Sequence, residues 1–122
     1  MKKNLIPIGR FDEFGPGMGL PSMRGYLSAT PYEGQAEIVR YLDTKGEVHM
    51  SGGIAYDVLA SGRIRIGPKY YKTDGEFGWW DYIPYYVETY NLRFPPEIEA
   101  RLLEKIRAER GVSQPTADTP SN

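Results

Sequence analysis

The stretch 69–80, Lys-Tyr-Tyr-Lys-Thr-Asp-Gly-Glu-Phe-Gly-Trp-Trp, decides the fold of this 122-residue chain. An Asp-Gly pair between two aromatic runs is the strongest short-range signal for a β-hairpin, because a tight turn needs a residue that tolerates positive φ. We therefore predict strands over 69–73 and 76–80, joined by a turn at Asp74-Gly75. Alternation along the second strand directs Phe77 and Trp79 toward the core and turns Trp80 to the opposite face.

Two helices are predicted after the hairpin. Asp81 is a residue type that caps helices, so the first helix is predicted over 82–90. The second is predicted over 97–109 and is expected to end at Gly111. Apolar residues at helical spacing predict two buried stripes, Tyr82, Tyr86 and Tyr90 in the first helix and Ile98, Leu102 and Ile106 in the second.

The region before the hairpin predicts one helix and two short strands. Apolar residues at helical spacing predict a helix over 33–44, and strands are predicted over 47–50 and 63–66. Ser51-Gly52-Gly53 predicts a break after the first strand. Residues 54–59 are compatible with a single helical turn or with an irregular connection, and the sequence does not separate these two.

These elements predict an α+β fold, in which a small antiparallel sheet with the Asp-Gly hairpin packs against about three helices. The length suits a single domain. Glycines and prolines are frequent in residues 1–32, which predicts a loop-rich N-terminal segment packed on the domain. Residues 33–111 are predicted to form the core domain, and the polar residues 112–122 a disordered tail.

The composition excludes several classes of function. The chain has no cysteine, which removes disulfides, thiol nucleophiles and zinc-thiolate sites. The net charge is −1, with fifteen basic and sixteen acidic residues. That balance does not favour binding to nucleic acid or to an anionic membrane, which needs clustered cations. No apolar run is long enough for a membrane span or a signal peptide, so we expect a cytoplasmic protein.

Candidate catalytic residues are few. His49 is the single histidine, and as a general base it would need an orienting carboxylate and a nucleophile within hydrogen-bond reach. Asp57 and Glu88 are carboxylates that could serve a small hydrolase or sugar-modifying enzyme together with His49. The sequence has no metal-binding motif and no phosphate-binding fingerprint, so we predict no metal, no cofactor and no enzymatic activity.

Half of the aromatic residues, eight of sixteen, fall within residues 77–94. Core packing accounts for those on the predicted inward stripes. Trp80 and Tyr85 lie off these stripes, and exposed tryptophan and tyrosine are typical of binding hot spots. The segment therefore predicts a core unit, with or without a second, exposed recognition face.

The same region resembles a group of small bacterial proteins, most of them uncharacterised, that are associated with polymorphic toxin systems. In that group an Asp-Gly-x-Trp hairpin leads into a Tyr-Tyr-Val-Glu-x-Tyr helix and then into a Leu-Pro helix start. The likeness covers residues 35–104. The matching segments of this chain are 74–80, 85–90, 92–95, the helix end at Tyr41-Leu42 and the stretch 55–59.

This resemblance implies an immunity protein that binds a cognate toxin and occludes its active site. Such an inhibitor would use a pre-formed face with aromatic anchors. A structural or adaptor domain, binding through the N-terminal segment, is a further alternative. The predicted partner-binding residues are the aromatic Trp80, Tyr85, Tyr70 and Tyr71, and the acidic Glu76, Asp81 and Glu88, which would help against a basic nuclease.

Overall fold

The computed structural model describes residues 4–113 and confirms the α+β fold. This part of the chain forms a four-stranded sheet with the strand order β1-β4-β3-β2 and three α-helices. The β2–β3 and β3–β4 pairs are antiparallel, as predicted, but β1 runs parallel to β4, so the sheet is mixed. The elements are β1 (Ile6–Pro7), α1 (Gln35–Thr44), β2 (Glu47–Tyr56), β3 (Arg65–Thr73), β4 (Phe77–Trp80), α2 (Ile83–Tyr90) and α3 (Pro96–Ser113).

The core forms where β4 meets the helices. Phe77 and Trp79 are fully buried, which confirms their predicted inward orientation. The indole Nε1 of Trp79 donates a hydrogen bond to the backbone oxygen of Leu42, 3.1 Å away at the end of α1. The predicted helix stripes are largely confirmed: Tyr82, Tyr86, Leu102 and Ile106 are buried, and Tyr90 and Ile98 are partly buried.

The Asp-Gly hairpin is confirmed, with Thr73 paired to Gly78 across the turn. Gly75 has φ +99°, a conformation that glycine adopts without steric cost. The Asp74 carboxylate accepts hydrogen bonds from the backbone N–H groups of Glu76 and Phe77, at 3.0 and 2.8 Å. Its second oxygen faces Lys105 Nζ of α3 at 3.2 Å, so the turn is also anchored to a helix.

The predictions for the β2–β3 region were wrong in three places. The predicted break at 51–53 lies inside β2, and Ile54–Tyr56 of the ambiguous 54–59 stretch continues that strand. The predicted separate strands 63–66 and 69–73 are one strand, β3, which starts at Arg65.

Glycine and proline are accommodated there by irregular pairing. The register shifts between Ser51 and Ile54, and Gly53 has φ +93°, so the glycines form a bulge rather than a strand end. Pro68 pairs with Ile54 of β2 but lies beyond the β4 pairing, which ends at Tyr71. At that point β3 has only one neighbouring strand, so a residue without an N–H group is tolerated.

The predicted helix cap at Asp81 was also wrong. The residue before α2 is Tyr82, which makes no side-chain cap, and Asp81 instead bonds to Tyr70 of β3. The helix begins without a cap because Pro84 occupies its first turn and needs no hydrogen bond there. At the other end of the chain, α3 does not stop at Gly111 but continues to Ser113.

The N-terminal segment lies against this unit. Ile8, Phe11 and Met23 are buried, and the Phe14 ring packs 4.9 Å from the ring of Tyr82. Gly9 approaches α2 so closely that an added Cβ would lie 2.5 Å from the Ile83 side chain. Of the predicted disordered tail, residues 114–122 lie outside the described residues, as do residues 1–3 of the N-terminal segment.

Candidate protein-binding surface

Tyr70 and Asp81 are joined at the end of the β3–β4 ladder. The backbone N–H of Tyr70 donates to Asp81 Oδ1, and the backbone N–H of Asp81 donates to the Tyr70 oxygen, both at 2.9 Å. This reciprocal pair holds the backbone of Tyr70 and leaves its side chain 38% exposed. Of the four predicted aromatic anchors, Tyr70 is the one that the structure exposes; the other three are partly buried.

Trp80 is held between side chains of neighbouring strands. Its ring is parallel to that of Tyr82 at 6.3 Å between centroids, and the Tyr71 ring meets it edge-on at 5.3 Å. Lys69 Nζ lies 5.5 Å from the ring centroid, within range of a cation–π interaction. An added Cβ at Gly52 would lie 2.8 Å from the indole, so β2 closes over the ring. Trp80 therefore joins the strands and presents little free surface.

Tyr85 is held by a buried carboxylate, Asp57. The Tyr85 hydroxyl donates to Asp57 Oδ2 at 2.6 Å, and the Tyr90 hydroxyl donates to the same oxygen at 2.7 Å. The other oxygen, Oδ1, accepts from the backbone N–H groups of Leu59 and Ala60 at 2.8 and 3.0 Å. Asp57 is only 5% exposed. Tyr85 thus fastens α2 to the loop after β2, a role that the sequence did not predict.

These hydrogen bonds set the ionisation of the cluster. Burial alone would raise the pKa of Asp57, but the two tyrosine hydroxyls and the two backbone N–H groups stabilise the carboxylate and hold its pKa below the usual value. The hydrogen bond to Asp57 raises the pKa of Tyr90 to about 12 and also raises the pKa of Tyr85. A carboxylate offers about four lone-pair sites. Four donors occupy them, so Asp57 has no site left for a substrate.

The predicted acidic residues have different surroundings. Glu76 accepts two hydrogen bonds from the Arg101 guanidinium, at 2.6 and 2.8 Å, and faces Lys105 Nζ at 3.4 Å. The bond with Arg101 lowers the pKa of Glu76. Asp81 is engaged with Tyr70, as described above. Glu88 is exposed on α2, beside a shallow groove that also contains Tyr32.

The residues of the enzymatic alternative lie in different surroundings. His49 is exposed on β2, whereas Asp57 is buried and fully hydrogen-bonded. Within residues 4–113, no group of three or more histidine, cysteine, aspartate or glutamate residues could hold a metal ion. No helix in the described part of the chain is long and apolar enough to cross a membrane.

A different surface emerges along β2 and β3, which we call the β2–β3 ribbon (residues 48–73). It carries six of the seven large hydrophobic side chains that are exposed in the described part of the chain. Met50 is 55% exposed, although β2 is part of the sheet. The ribbon lies at the edge of the sheet, because β2 pairs with β3 on one side only. The six residues are Val48, Met50, Ile54, Val58, Ile64 and Tyr70.

The β2–β3 ribbon is also basic. It contains four cations and one carboxylate, the buried Asp57, which gives a net charge of +3 in a chain of net charge −1. None of the four cations forms a salt bridge within residues 4–113. Lys72 donates to backbone oxygens at the end of α1, Arg63 lies over the Tyr56 ring, Lys69 lies over Trp80, and Arg65 is exposed.

Comparison of the chain with protein families, with curated proteins and with solved structures finds no match in any of the three.

Of the six exposed hydrophobic residues of the ribbon, Tyr70 was predicted from the sequence as a binding residue, and none of the other five was. The aromatic density of 77–94 drew attention to the segment that the core uses most. The charge bias of residues 48–73 was readable in the sequence, since a run of twenty-six residues holds a single carboxylate. The exposure of Val48, Met50 and Ile54 was not readable, because alternation in a strand indicates two faces and does not show which of them a helix covers.

Proposed function

We propose that this protein is a protein-binding module, an immunity-type inhibitor that neutralises a cognate bacterial toxin by occluding its active site. The observation that carries the proposal is the concentration of exposed hydrophobic side chains on the β2–β3 ribbon. Exposed apolar patches of this kind, bordered by polar residues, mark interaction sites in soluble proteins. The resemblance of residues 35–104 to proteins of polymorphic toxin systems supplies the kind of partner.

The dimensions of the ribbon suit an interface of ordinary size. A strand of ten residues, the length of β2, spans about 33 Å. A typical interface covers about 800 Å² on each partner. The ribbon is therefore long enough to form the centre of such an interface. Its exposed apolar residues lie on both faces: Tyr70 and Ile54 share one face, and Met50, which pairs with Tyr71, lies on the other.

The predicted anchors divide into two roles under this proposal. Tyr70 contacts the partner directly. Trp80 and Tyr71 lie beneath the ribbon and fix its shape, since their rings pack between the strands. A rigid surface reduces the ordering cost of association, so these residues contribute to affinity through pre-organisation.

The test asks whether a neighbouring gene encodes a toxin domain, and whether this protein neutralises that domain in cells that co-express both proteins. Met50→Glu places a charge on the exposed strand β2 and should weaken binding at least tenfold, the scale of an interface hot spot of about 1–2 kcal/mol. Met18→Glu is the matched control, because Met18 is 63% exposed but lies outside the ribbon. The proposal predicts that cells survive with the Met18 variant and die with the Met50 variant.

Two results would contradict this proposal. If the unaltered protein gives no protection and does not bind the purified toxin domain, the immunity function is wrong. If both glutamate variants protect equally, the β2–β3 ribbon is not the interface. Thermal unfolding of each variant shows whether a loss of protection comes from loss of the fold.

A further inference from the structure

The two edges of the sheet differ in how well they are protected against pairing with another strand. β1 has only two residues, one of which is Pro7. Short edge strands and proline are the usual means of blocking such pairing. β2 has ten residues and no proline, and its one charged residue apart from histidine is Glu47 at its start. Of the two outermost strands, only β2 is therefore open to the addition of a strand.

The exposed edge of β2 offers backbone groups as well as side chains. In a strand, alternate residues direct their N–H and C=O groups to opposite sides, so roughly half of those in β2 point away from β3. The residues from Glu47 to Ile54 are all exposed. An extended segment placed along this edge would satisfy the open backbone groups and cover Val48, Met50 and Ile54. Recognition by strand addition uses this combination of main-chain bonds and side-chain contacts.

The charge of the ribbon indicates which kind of segment would bind to this edge. The ribbon carries a net charge of +3, and Arg63, Arg65 and Lys69 are without salt-bridge partners among the described residues. A second copy would bring another ribbon of the same charge to the edge, and like charges across an interface are unfavourable. An acidic segment brings the opposite charge.

We propose that the partner docks by adding an extended, acidic strand to the free edge of β2. This inference rests on the proposed function. The bulges at His49 and at Gly52-Gly53 limit the length of regular pairing. They divide the edge into short stretches, so the added strand is short. The apolar side chains of the partner strand pack on Val48 and Ile54, which are exposed on one face of β2. Its carboxylates reach toward Arg63 and Arg65, which lie at the Tyr56 end of the ribbon.

The test uses a cyclised hairpin peptide that displays a free strand of alternating glutamate and valine, because a preformed strand avoids the cost of ordering. Amide hydrogen exchange of the protein is followed by NMR during titration. The proposal predicts at least tenfold slower exchange, about 1.4 kcal/mol, at those β2 amides that do not bond to β3. Two control peptides carry lysine in place of glutamate, or N-methyl groups on the displayed amides.

Both control peptides should bind at least tenfold more weakly than the acidic one. In the protein, Arg65→Glu should weaken binding of the acidic peptide about fivefold, which corresponds to about 1 kcal/mol for an exposed charge. Arg40→Glu is the matched control, since Arg40 is exposed on α1, outside the ribbon. If the N-methylated peptide binds as tightly as the acidic peptide, pairing through the backbone is wrong. If the lysine peptide binds as tightly, the inference of an acidic partner strand is wrong.

Other outcomes also decide the matter. If the acidic peptide slows hydrogen exchange at no β2 amide, the inference is wrong. It is also wrong if exchange at these amides slows with protein concentration in the absence of peptide, because a second copy of the chain would then occupy the edge. Tighter binding of an oligonucleotide than of the acidic peptide would indicate nucleic acid instead. The neutralisation experiment stays independent of these results. If Met50→Glu abolishes neutralisation of the toxin in cells while no peptide pairs with β2, the proposed function stands and only strand addition is wrong.

Discussion

Replacement of Asp57 by asparagine tests the cluster that joins α2 to the loop after β2. Asparagine keeps the shape of the side chain and one carbonyl oxygen, which can still accept from the N–H groups of Leu59 and Ala60. The second oxygen becomes an NH₂ group. It can no longer accept from the hydroxyls of Tyr85 and Tyr90, which now lie 2.6 and 2.7 Å from Asp57 Oδ2.

The NH₂ group can instead donate to the two tyrosine oxygens, so the expected cost is that of exchanging two charge-assisted hydrogen bonds for neutral ones. A hydrogen bond to a charged group contributes about 1.5–3 kcal/mol, against about 0.5–1.5 kcal/mol for a neutral pair. The difference is about 1 kcal/mol for each tyrosine, or about 2 kcal/mol for both. For a domain of this size, such a loss lowers Tm by about 10 °C.

Urea denaturation, followed by tryptophan fluorescence, measures this loss directly. Glu88→Gln is the matched control: Glu88 is exposed on α2, so its change should alter the free energy of unfolding by less than about 0.5 kcal/mol. A double-mutant cycle with Tyr90→Phe should give a coupling of at least about 0.5 kcal/mol. If Asp57→Asn unfolds at the same urea concentration as the unaltered protein, the cluster does not stabilise the fold.

The same variant tests the pH dependence of stability. The folded pKa of Asp57 lies below its unfolded value of about 3.9, so its contribution is complete above that pH and is lost as the pH falls through the folded pKa. The difference in unfolding free energy between the unaltered protein and Asp57→Asn should therefore shrink below about pH 4. Asp74 and Glu76 also have lowered pKa values, so both proteins keep some acid sensitivity. A difference that stays constant at low pH would contradict this assignment.

Two further predictions concern glycines. Gly75→Ala should lower the free energy of unfolding in urea by about 1 kcal/mol, because φ is +99° at this residue and alanine is strained there, although an added Cβ would contact nothing. Gly25→Ala is the control: an added Cβ there also contacts nothing, and φ is not positive, so its effect should be small. Equal effects of the two substitutions would show that φ at Gly75 does not strain alanine. Gly52→Ala should displace the Trp80 ring, because the added Cβ would lie 2.8 Å from it. The displacement should shift the tryptophan fluorescence and lower the free energy of unfolding by about 1–3 kcal/mol. An unchanged fluorescence spectrum would mean that β2 does not close over Trp80.

Much of the fold could be predicted from the sequence, because strong local signals agreed with the tertiary structure. Asp74-Gly75 forms the predicted turn, and Leu102 and Ile106 are buried at their predicted helical spacing. The wrong predictions concern residues whose type is compatible with two different local structures. Asp81 can cap a helix or extend a ladder, and the neighbouring Tyr70 backbone decided between them. Ser51-Gly52-Gly53 is compatible with a break or with a bulge, and only the facing strand distinguishes these.

The candidate surface was harder to predict because exposure depends on contacts between distant parts of the chain. Tyr85 lies off the helix stripe, as predicted, and that position favoured exposure. Its hydroxyl is instead bonded to Asp57, twenty-eight residues earlier. No local pattern reports such a bond. Met50 shows the reverse difficulty, since a hydrophobic residue in a strand is usually assigned to the core, whereas the edge position of β2 leaves this one exposed.

The charges of the described residues also change the expected character of the partner. Acidic help from Glu76, Asp81 and Glu88 against a basic nuclease assumed that these carboxylates face outward without partners. Glu76 is bonded to Arg101, and Asp81 to the backbone of Tyr70, which leaves Glu88 exposed on α2. The charge of Glu76 is neutralised inside the fold by Arg101 and Lys105, so it contributes little to the attraction of a partner.

The cations are arranged in the opposite way. Arg101, Arg107 and Lys105 of α3 pair with carboxylates of the same chain, whereas those of the β2–β3 ribbon form no salt bridge within residues 4–113. Because the exposed apolar side chains lie on that same ribbon, apolar contact and charge favour one location. We therefore expect the proposed partner to present an acidic surface. Association should slow as salt is raised, since electrostatic steering acts mainly on the rate of encounter. A rate that is independent of salt would contradict an acidic partner surface while leaving apolar docking on the ribbon possible.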